Sequence, residues 1–228
     1  MKYLTKFLPY YYAMSSVGNL LCKSLYLEGT SCTFKSTILR SLEAEGYPCL
    51  AGDFAEHSEK FPYFRRQIAE RVPSLLYLAY LFYDFEPYHV IDRTWVANVV
   101  YSIVNRVEPE EVEDACNHVL EEIPSEMKAI LRKMPVLIVI EGRPEDNHAR
   151  MVRRDNQIDT NESIDYILKQ NTAFTMFAEA FFWPVVKIYP NETNEEFQER
   201  CLRQLRSMYD HHIGPQIRSK IRDERSRK

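Results

Sequence analysis

"LEGTSCTFKST", residues 27–37, decides the fold. An apolar run, "SLYLEG", leads into Gly29. Lys35, Ser36 and Thr37 follow, and "KSTILRSLEAEG" continues at helical spacing until Gly46. A strand, a loop and a helix in that order let successive backbone N–H groups turn inward onto phosphate oxygens. The lysine then reaches the outer phosphates, and the hydroxyl after it serves magnesium. One position departs from this scheme: Phe34 stands directly before the lysine, where a second glycine is expected. A phenyl ring there is expected to point into solvent or across the phosphate path. A side chain at a positive φ also costs roughly 1–3 kcal/mol. The loop is therefore expected to take another shape.

Outward from this loop, apolar runs alternate with helical periodicity. "YPCLAGD", "YHVID", "PVLIVIEG" and "WPVVKIYP" read as further strands. "PVLIVIEG" is a continuous apolar run of the kind buried on both faces of a parallel sheet. The predicted helices are "FRRQIAERV", "SLLYLAYLFYDF", "TWVANVVYSIVNRV", "PEEVEDACNHVLEEI", "PEDNHARMVRRDNQ", "SIDYILKQNTAFTMFAEAFF" and "TNEEFQERCLRQLRSMYDHH". Thr193 with Glu196 makes a capping box at the start of the last of these. The alternation predicts a helix-rich α/β domain over 23–212. About five parallel strands are covered by helices on both faces. Residues 1–22 form an aromatic arm carrying Tyr3, Phe7, Tyr10, Tyr11 and Tyr12. The arm packs on its own domain or is exchanged with a neighbouring molecule. Residues 213–228 form a tail whose last twelve carry six Arg or Lys against two acids. It reads as a solvated terminus or as a nucleic-acid or nuclear-targeting segment.

Composition narrows the classes. A net charge of −4 argues against a general nucleic-acid binder. No run of eighteen uncharged apolar residues predicts a membrane span. Lys6 and Pro9 break the apolar start, which argues against a secretory signal and for an intracellular protein. Glycine is scarce, at 6 residues, and tyrosine abundant, at 15. The first is unusual for a protein that cradles phosphates, and the second suits interfaces. The cysteines, Cys22, Cys32, Cys49, Cys116 and Cys201, include no CxxC pair, so no zinc site is expected. They are read as free buried thiols or as bridges between chains.

Two further segments carry candidate chemistry. "VIDRT" places Asp92 and Arg93 at the end of a strand, where ligands sit in parallel sheets. "GRPEDNHARMVRRDNQIDTNESIDYI" sets Arg150, Arg153 and Arg154 on a helix, with Arg150 and Arg154 one turn apart, and Asp155, Asp159 and Glu162 after them. Such arginines either clamp phosphates or line a solvated helix face.

Taken together, "LEGTSCTFKSTILRSLEAEGYPCLAGDFAE", "DRT" and "RPEDNHARMVRRDNQIDTNESIDYI" resemble thymidylate kinase and, more distantly, the viral and insect deoxynucleoside kinases, over residues 24–208. The resemblance implies a P-loop kinase-like fold. It also implies that Lys35 contacts phosphates, Ser36 and Thr37 serve magnesium, Asp92 and Arg93 handle metal and acceptor phosphate, and Arg150, Arg153 and Arg154 belong to a lid. Three departures stand against it: Phe34; the missing Glu-Pro after the second strand, where "GDFAEH" offers Asp53 or Glu56 with no proline; and the added aromatic N-terminal arm.

On these departures the phosphate-binding residues, with Gly29, are read as vestigial, and the chain as no enzyme, with no catalytic residue, metal or cofactor expected. ATP and magnesium enter only if the chain is an active kinase. The size, aromatic arm, altered loop and five cysteines resemble the occlusion-body proteins, or polyhedrins, of insect nudiviruses. That resemblance implies a self-assembling matrix protein that encloses virions in the nucleus of an infected insect cell. Its partners are further copies of itself and the virions, with no membrane and no specific nucleic acid. The arm aromatics and the cysteines are the assembly candidates. The alternatives are an active thymidylate kinase, transferring phosphate from ATP to dTMP, and a soluble pseudokinase.

Overall fold

A computed structural model describes residues 21–50, 87–154 and 163–218. The arm aromatics Tyr3 to Tyr12, the candidates Asp53 and Glu56, the two helices expected before residue 87, the acidic residues 155–162 and the tail beyond Arg218 lie outside the described residues.

The expected parallel sheet is present. Its strands are β1 (Leu25–Gly29), β2 (Cys49–Leu50), β3 (Val90–Asp92), β4 (Val136–Ile140) and β5 (Val185–Lys187). Their order is β2-β3-β1-β4-β5, and every described pairing is parallel. Seven α-helices flank them among the described residues: α1 (Lys35–Ala44), α2 (Trp95–Val104), α3 (Val112–Glu122), α4 (Ser125–Leu131), α5 (Pro144–Arg154), α6 (Ile164–Phe181) and α7 (Asn194–Met208). None is long and apolar enough to cross a membrane.

Alternation along each strand creates two cores, one on each face of the sheet. Tyr26, Ile91, Val136 and Ile138 point to one face and join Val96, Val100, Ile167, Phe174 and Phe177. Leu25, Leu27, Val90, Leu137 and Val139 point to the other, where Ile38, Leu42, Phe197 and Leu205 cover them. The helix-period apolar residues of α6 and α7 thus fall on opposite faces, as a doubly covered sheet requires.

Three details differ from the sequence reading. The stretch 109–122 opens with a 3-10 turn, Pro109–Glu111, because Pro109 sits at its first position and Glu108 closes a capping box with Glu111. "SEMKAIL" is a separate short helix, α4, entered directly after Pro124, too short to announce itself by periodicity. The last helix runs into a π turn, Tyr209–Ile213, whose Ile213 is fully buried. Gln216 beyond it donates to the Cys22 carbonyl, so the start of the expected tail packs on the domain. Thr193 and Glu196 form the expected reciprocal cap on α7.

From β1 the chain goes first to β2 and β3 on one side and then crosses over to β4 and β5 on the other. The carboxyl end of β1 therefore lies at the topological switch point of the sheet, where open α/β folds place their ligands.

Candidate functional site

Strand β1 ends in the dipeptide Glu-Gly, and β4 is followed directly by another, and this repetition builds the site. Each glycine lets a neighbouring strand come close. A Cβ on Gly29 would lie 1.9 Å from the Val139 carbonyl oxygen, and one on Gly142 would lie 1.8 Å from that of Ile188. Gly29 also has φ +134°, which side chains rarely adopt. Each glutamate is buried and folds back onto backbone donors. Glu28 accepts from the Gly29 N–H at 3.0 Å, the Thr94 N–H at 2.7 Å and the Thr94 hydroxyl at 3.2 Å. It thereby ties the loop after β1 to the turn after β3. Glu141 accepts from the Arg143 N–H at 2.6 Å and Asn147 Nδ2 at 3.0 Å, and pairs with the Arg150 guanidinium.

The loop after β1 closes around Lys35. Its ammonium donates to the carbonyls of Gly29 at 3.0 Å and Thr30 at 2.5 Å, and to the Thr33 hydroxyl at 3.3 Å. Helix α1 begins at Lys35 with no side-chain cap on its first N–H groups. Ser36 and Thr37 are exposed on its first turn. Phe34 takes the left-handed conformation at φ 62°, and Cys32 does so at 55°. The chain accepts the strained backbone, and the ring turns aside rather than into solvent. It packs against Phe197 of α7 at 6.3 Å between centroids, and the Arg150 guanidinium lies 4.8 Å over it.

Side chains from α5 and α6 hold the loop from behind. Gln170 accepts from the Ser31 N–H at 2.8 Å, Asn147 donates to the Ser31 carbonyl at 2.9 Å, and Arg150 Nε donates to the Cys32 carbonyl at 3.1 Å. Asn171 Oδ1 accepts from the Thr30 hydroxyl at 2.6 Å and from the Glu141 N–H at 3.1 Å. The Ser31 hydroxyl meets that of Tyr101 at 3.0 Å, and Arg93 lies over the Tyr101 ring at 5.2 Å.

Electrostatics follow from this crowding. Burial, with Arg93 nearby, lowers Lys35 from 10.5 to about 8 against the opposing pull of Asp92 and Glu28. Burial raises Glu28, and the nearby Arg93 and the N–H bonds of Thr94 and Gly29 resist it. Burial also opposes the charge on Arg93, but Tyr101, Asp92 and Glu28 together outweigh it and keep the guanidinium protonated. Burial draws Arg150 down, with Glu141 countering.

Of the residues singled out in the sequence, Gly29, Phe34, Lys35, Asp92, Arg93 and Arg150 gather at the carboxyl ends of β1, β3 and β4, with Ser36 and Thr37 on the adjoining first turn of α1. Arg153 does not join them; it is exposed and donates to the Ala149 carbonyl in its own helix. The backbone of Arg154 ends α5. All five cysteines are free; Cys116 and Cys201 are wholly buried, so Cys22, Cys32 and Cys49 are the ones that present surface. Glu28, Glu141, Asn147, Gln170 and Asn171 were not singled out. Their signal was a charge inside an apolar strand and amides inside an apolar helix, both of which demand a buried partner.

No protein-family model matches this chain. An uncharacterized 33.9 kDa protein of Lymantria dispar multicapsid nuclear polyhedrosis virus is 29% identical over 197 residues, covering 81% of this chain. The chain spans 63% of that relative's length. Among solved structures, deoxyadenosine kinase from M. mycoides with bound dATP superposes with a TM-score of 0.50 at 15% identity, over 81% of this chain and 99% of that one. The YorR protein of Bacillus subtilis, in complex with phosphorylated GDP, gives 0.43 at 18%, over 83% and 99%.

The fold is therefore that of a nucleoside kinase. This corrects the expectation that the chain is no enzyme: among solved structures the fold it matches is that of a deoxyadenosine kinase.

Proposed function

We propose that this chain is a phosphotransferase that binds a nucleoside triphosphate with magnesium at the loop 29–36 and passes the terminal phosphoryl group to a deoxynucleoside or its monophosphate. The observation that carries this is the setting of Lys35. Its ammonium is drawn down onto the Gly29 and Thr30 carbonyls, directly before a helix whose first N–H groups have no capping side chain. That combination is an anion site.

The residues present fit such a ligand. Lys35 and the α1 terminus would hold phosphate oxygens, and the exposed Ser36 hydroxyl with the buried Asp92 carboxylate would serve magnesium, which neutralises charge on the phosphates when bound. Asn147 Oδ1 and Gln170 Nε2, on the residues that grip Ser31, are buried with no partner among the described residues. Arg93, kept charged beside Asp92, suits the acceptor end. In the transfer, the acceptor oxygen bonds to the terminal phosphorus, the bridge to the next phosphate breaks, and the acceptor's proton passes to a carboxylate.

The deoxyadenosine kinase among the fold neighbours favours a deoxynucleoside acceptor, and the likeness of "DRT" to thymidylate kinase adds dTMP. The viral relative favours an infected cell as the setting. The self-assembling reading rests on arm tyrosines that lie outside the described residues and on cysteines of which Cys22, Cys32 and Cys49 present surface.

The test is transfer of label from γ-labelled ATP with magnesium to a panel of the four deoxynucleosides and dTMP. A labelled product that disappears in Lys35→Met is expected. No transfer to any acceptor, with no binding of ATP, overturns the proposal.

A further inference from the structure

The loop holds two side chains at left-handed backbone angles, Cys32 and Phe34, yet it remains closed around Lys35. A glycine at such a position reaches that conformation without strain, whereas any other residue must be held there by its surroundings. What holds this loop is visible. Arg150 Nε donates to the carbonyl of Cys32, its guanidinium lies 4.8 Å over the ring of Phe34, and its far nitrogen is anchored on the buried Glu141. One planar group thus meets a loop carbonyl, a loop side chain and a fixed carboxylate. Only a guanidinium has the donors and the face to do all three; an ammonium is a point charge.

We infer that Arg150 is a positioning residue that braces the phosphate loop, substituting for the glycine that Phe34 displaces, rather than a group that reaches for phosphate. Three observations converge on this. The guanidinium is committed to Glu141, whose carboxylate is itself fixed by Arg143 N–H and Asn147. The Phe34 ring, which would otherwise be an obstacle, serves as the surface on which the guanidinium rests, while its other neighbour, Phe197, belongs to α7. Asn147 lies one turn before Arg150 on α5 and grips the preceding peptide at Ser31, so one helix face holds two consecutive loop carbonyls. Phe34 and Arg150 are then a pair: each makes sense only in the presence of the other.

The inference deepens the phosphotransferase reading and rests on it for its purpose, but its test needs no nucleotide. Cys32 is half-buried within the braced loop, while Cys49 is half-buried at the start of β2, away from that loop, and Cys116 is fully buried. The rate of alkylation by iodoacetamide at each cysteine, followed by peptide mass spectrometry, reports loop opening at Cys32. Cys49 serves as the reference and Cys116 reports any unfolding. Arg150→Met and Arg150→Lys are each expected to speed alkylation of Cys32 by at least about fivefold with Cys49 unchanged. In a Phe34→Gly background the same two changes are expected to alter it less than about twofold.

Should Arg150→Met expose Cys116, Arg150→Lys decides, since it retains a cation beside Glu141. An unchanged Cys32 rate overturns the inference. So does an acceleration of the same size with glycine at 34, which would show that Arg150 acts independently of the ring. Separately, ATP with magnesium slows Cys32 alkylation in the unaltered protein if the loop binds phosphate. Absence of that protection counts against the phosphotransferase reading alone and leaves the comparison of variants to judge the brace.

Discussion

On the proposed reading, Lys35 makes nucleotide binding a proton-linked event. Its ammonium titrates at about 8 in the unliganded fold, because burial and Arg93 oppose its charge. Phosphate oxygens set beside it favour the charged form and raise that value in the complex. The complex therefore binds more protons than the free protein, and affinity falls as pH rises through 8. With a free pKa of about 8, about three-quarters of the lysines are neutral at pH 8.5, so binding should take up about 0.75 proton there and only about 0.1 at pH 7. The same shift makes ATP bind about 30-fold more weakly at pH 9.5 than at pH 7, close to 2 kcal/mol.

Phosphate groups are fully ionised above pH 8, so the uptake belongs to the protein. Calorimetry of ATP binding at pH 8.5 in two buffers of different ionisation heat gives the proton count directly. In Lys35→Arg, whose guanidinium stays protonated, the uptake should vanish. Intact binding with no proton uptake in the unaltered protein would refute the assignment of Lys35 as the buried cation that meets the phosphates.

Other outcomes follow from the same contacts. Gly29→Ala forces a Cβ to within 1.9 Å of the Val139 carbonyl oxygen at a φ of +134° in the middle of the sheet. It should cost more than about 4 kcal/mol and leave little folded protein by circular dichroism; a melting point within a few degrees of the original would contradict that. Thr193→Ala removes the hydroxyl that accepts from the Glu196 N–H at 3.1 Å and should cost about 1 kcal/mol in urea unfolding. Burial pushes the Cys116 and Cys201 thiols up to about 12 from 9.0. Their folded values lie above the unfolded ones, so the stability they contribute is complete below pH 9 and is lost as pH rises toward 12. Replacing both by alanine should move the onset of alkaline unfolding to higher pH, and an unchanged onset would place the cause elsewhere.

The sheet was legible because its strands are apolar runs separated by helix-period segments, and parallel pairing follows from that alternation. The loop after β1 was legible from Gly29 and Lys35, which the structure brings together at the carboxyl end of β1. What could not be read was how the chain would accommodate Phe34, since that depends on Phe197 and Arg150, far away in sequence. Propensity alone predicts strain at Phe34; tertiary packing absorbs the ring and holds the backbone in that strained conformation. The buried polar bracing by Glu28, Glu141, Asn147 and Gln170 was hidden for a related reason. A glutamate at a strand end looks like the edge of an element until the neighbouring strand and helix show that it is enclosed. Helix α4 was missed because seven residues are too few for a periodic signal.

The central claim is that the closed loop around Lys35 binds the phosphates of a nucleoside triphosphate. Equilibrium dialysis of labelled ATP with magnesium at pH 7, set against Lys35→Met, tests it most directly. Saturable binding at one site per chain, weakened at least about a hundredfold by the substitution, is the predicted result. No saturable binding, or binding that Lys35→Met leaves unchanged, would contradict the account.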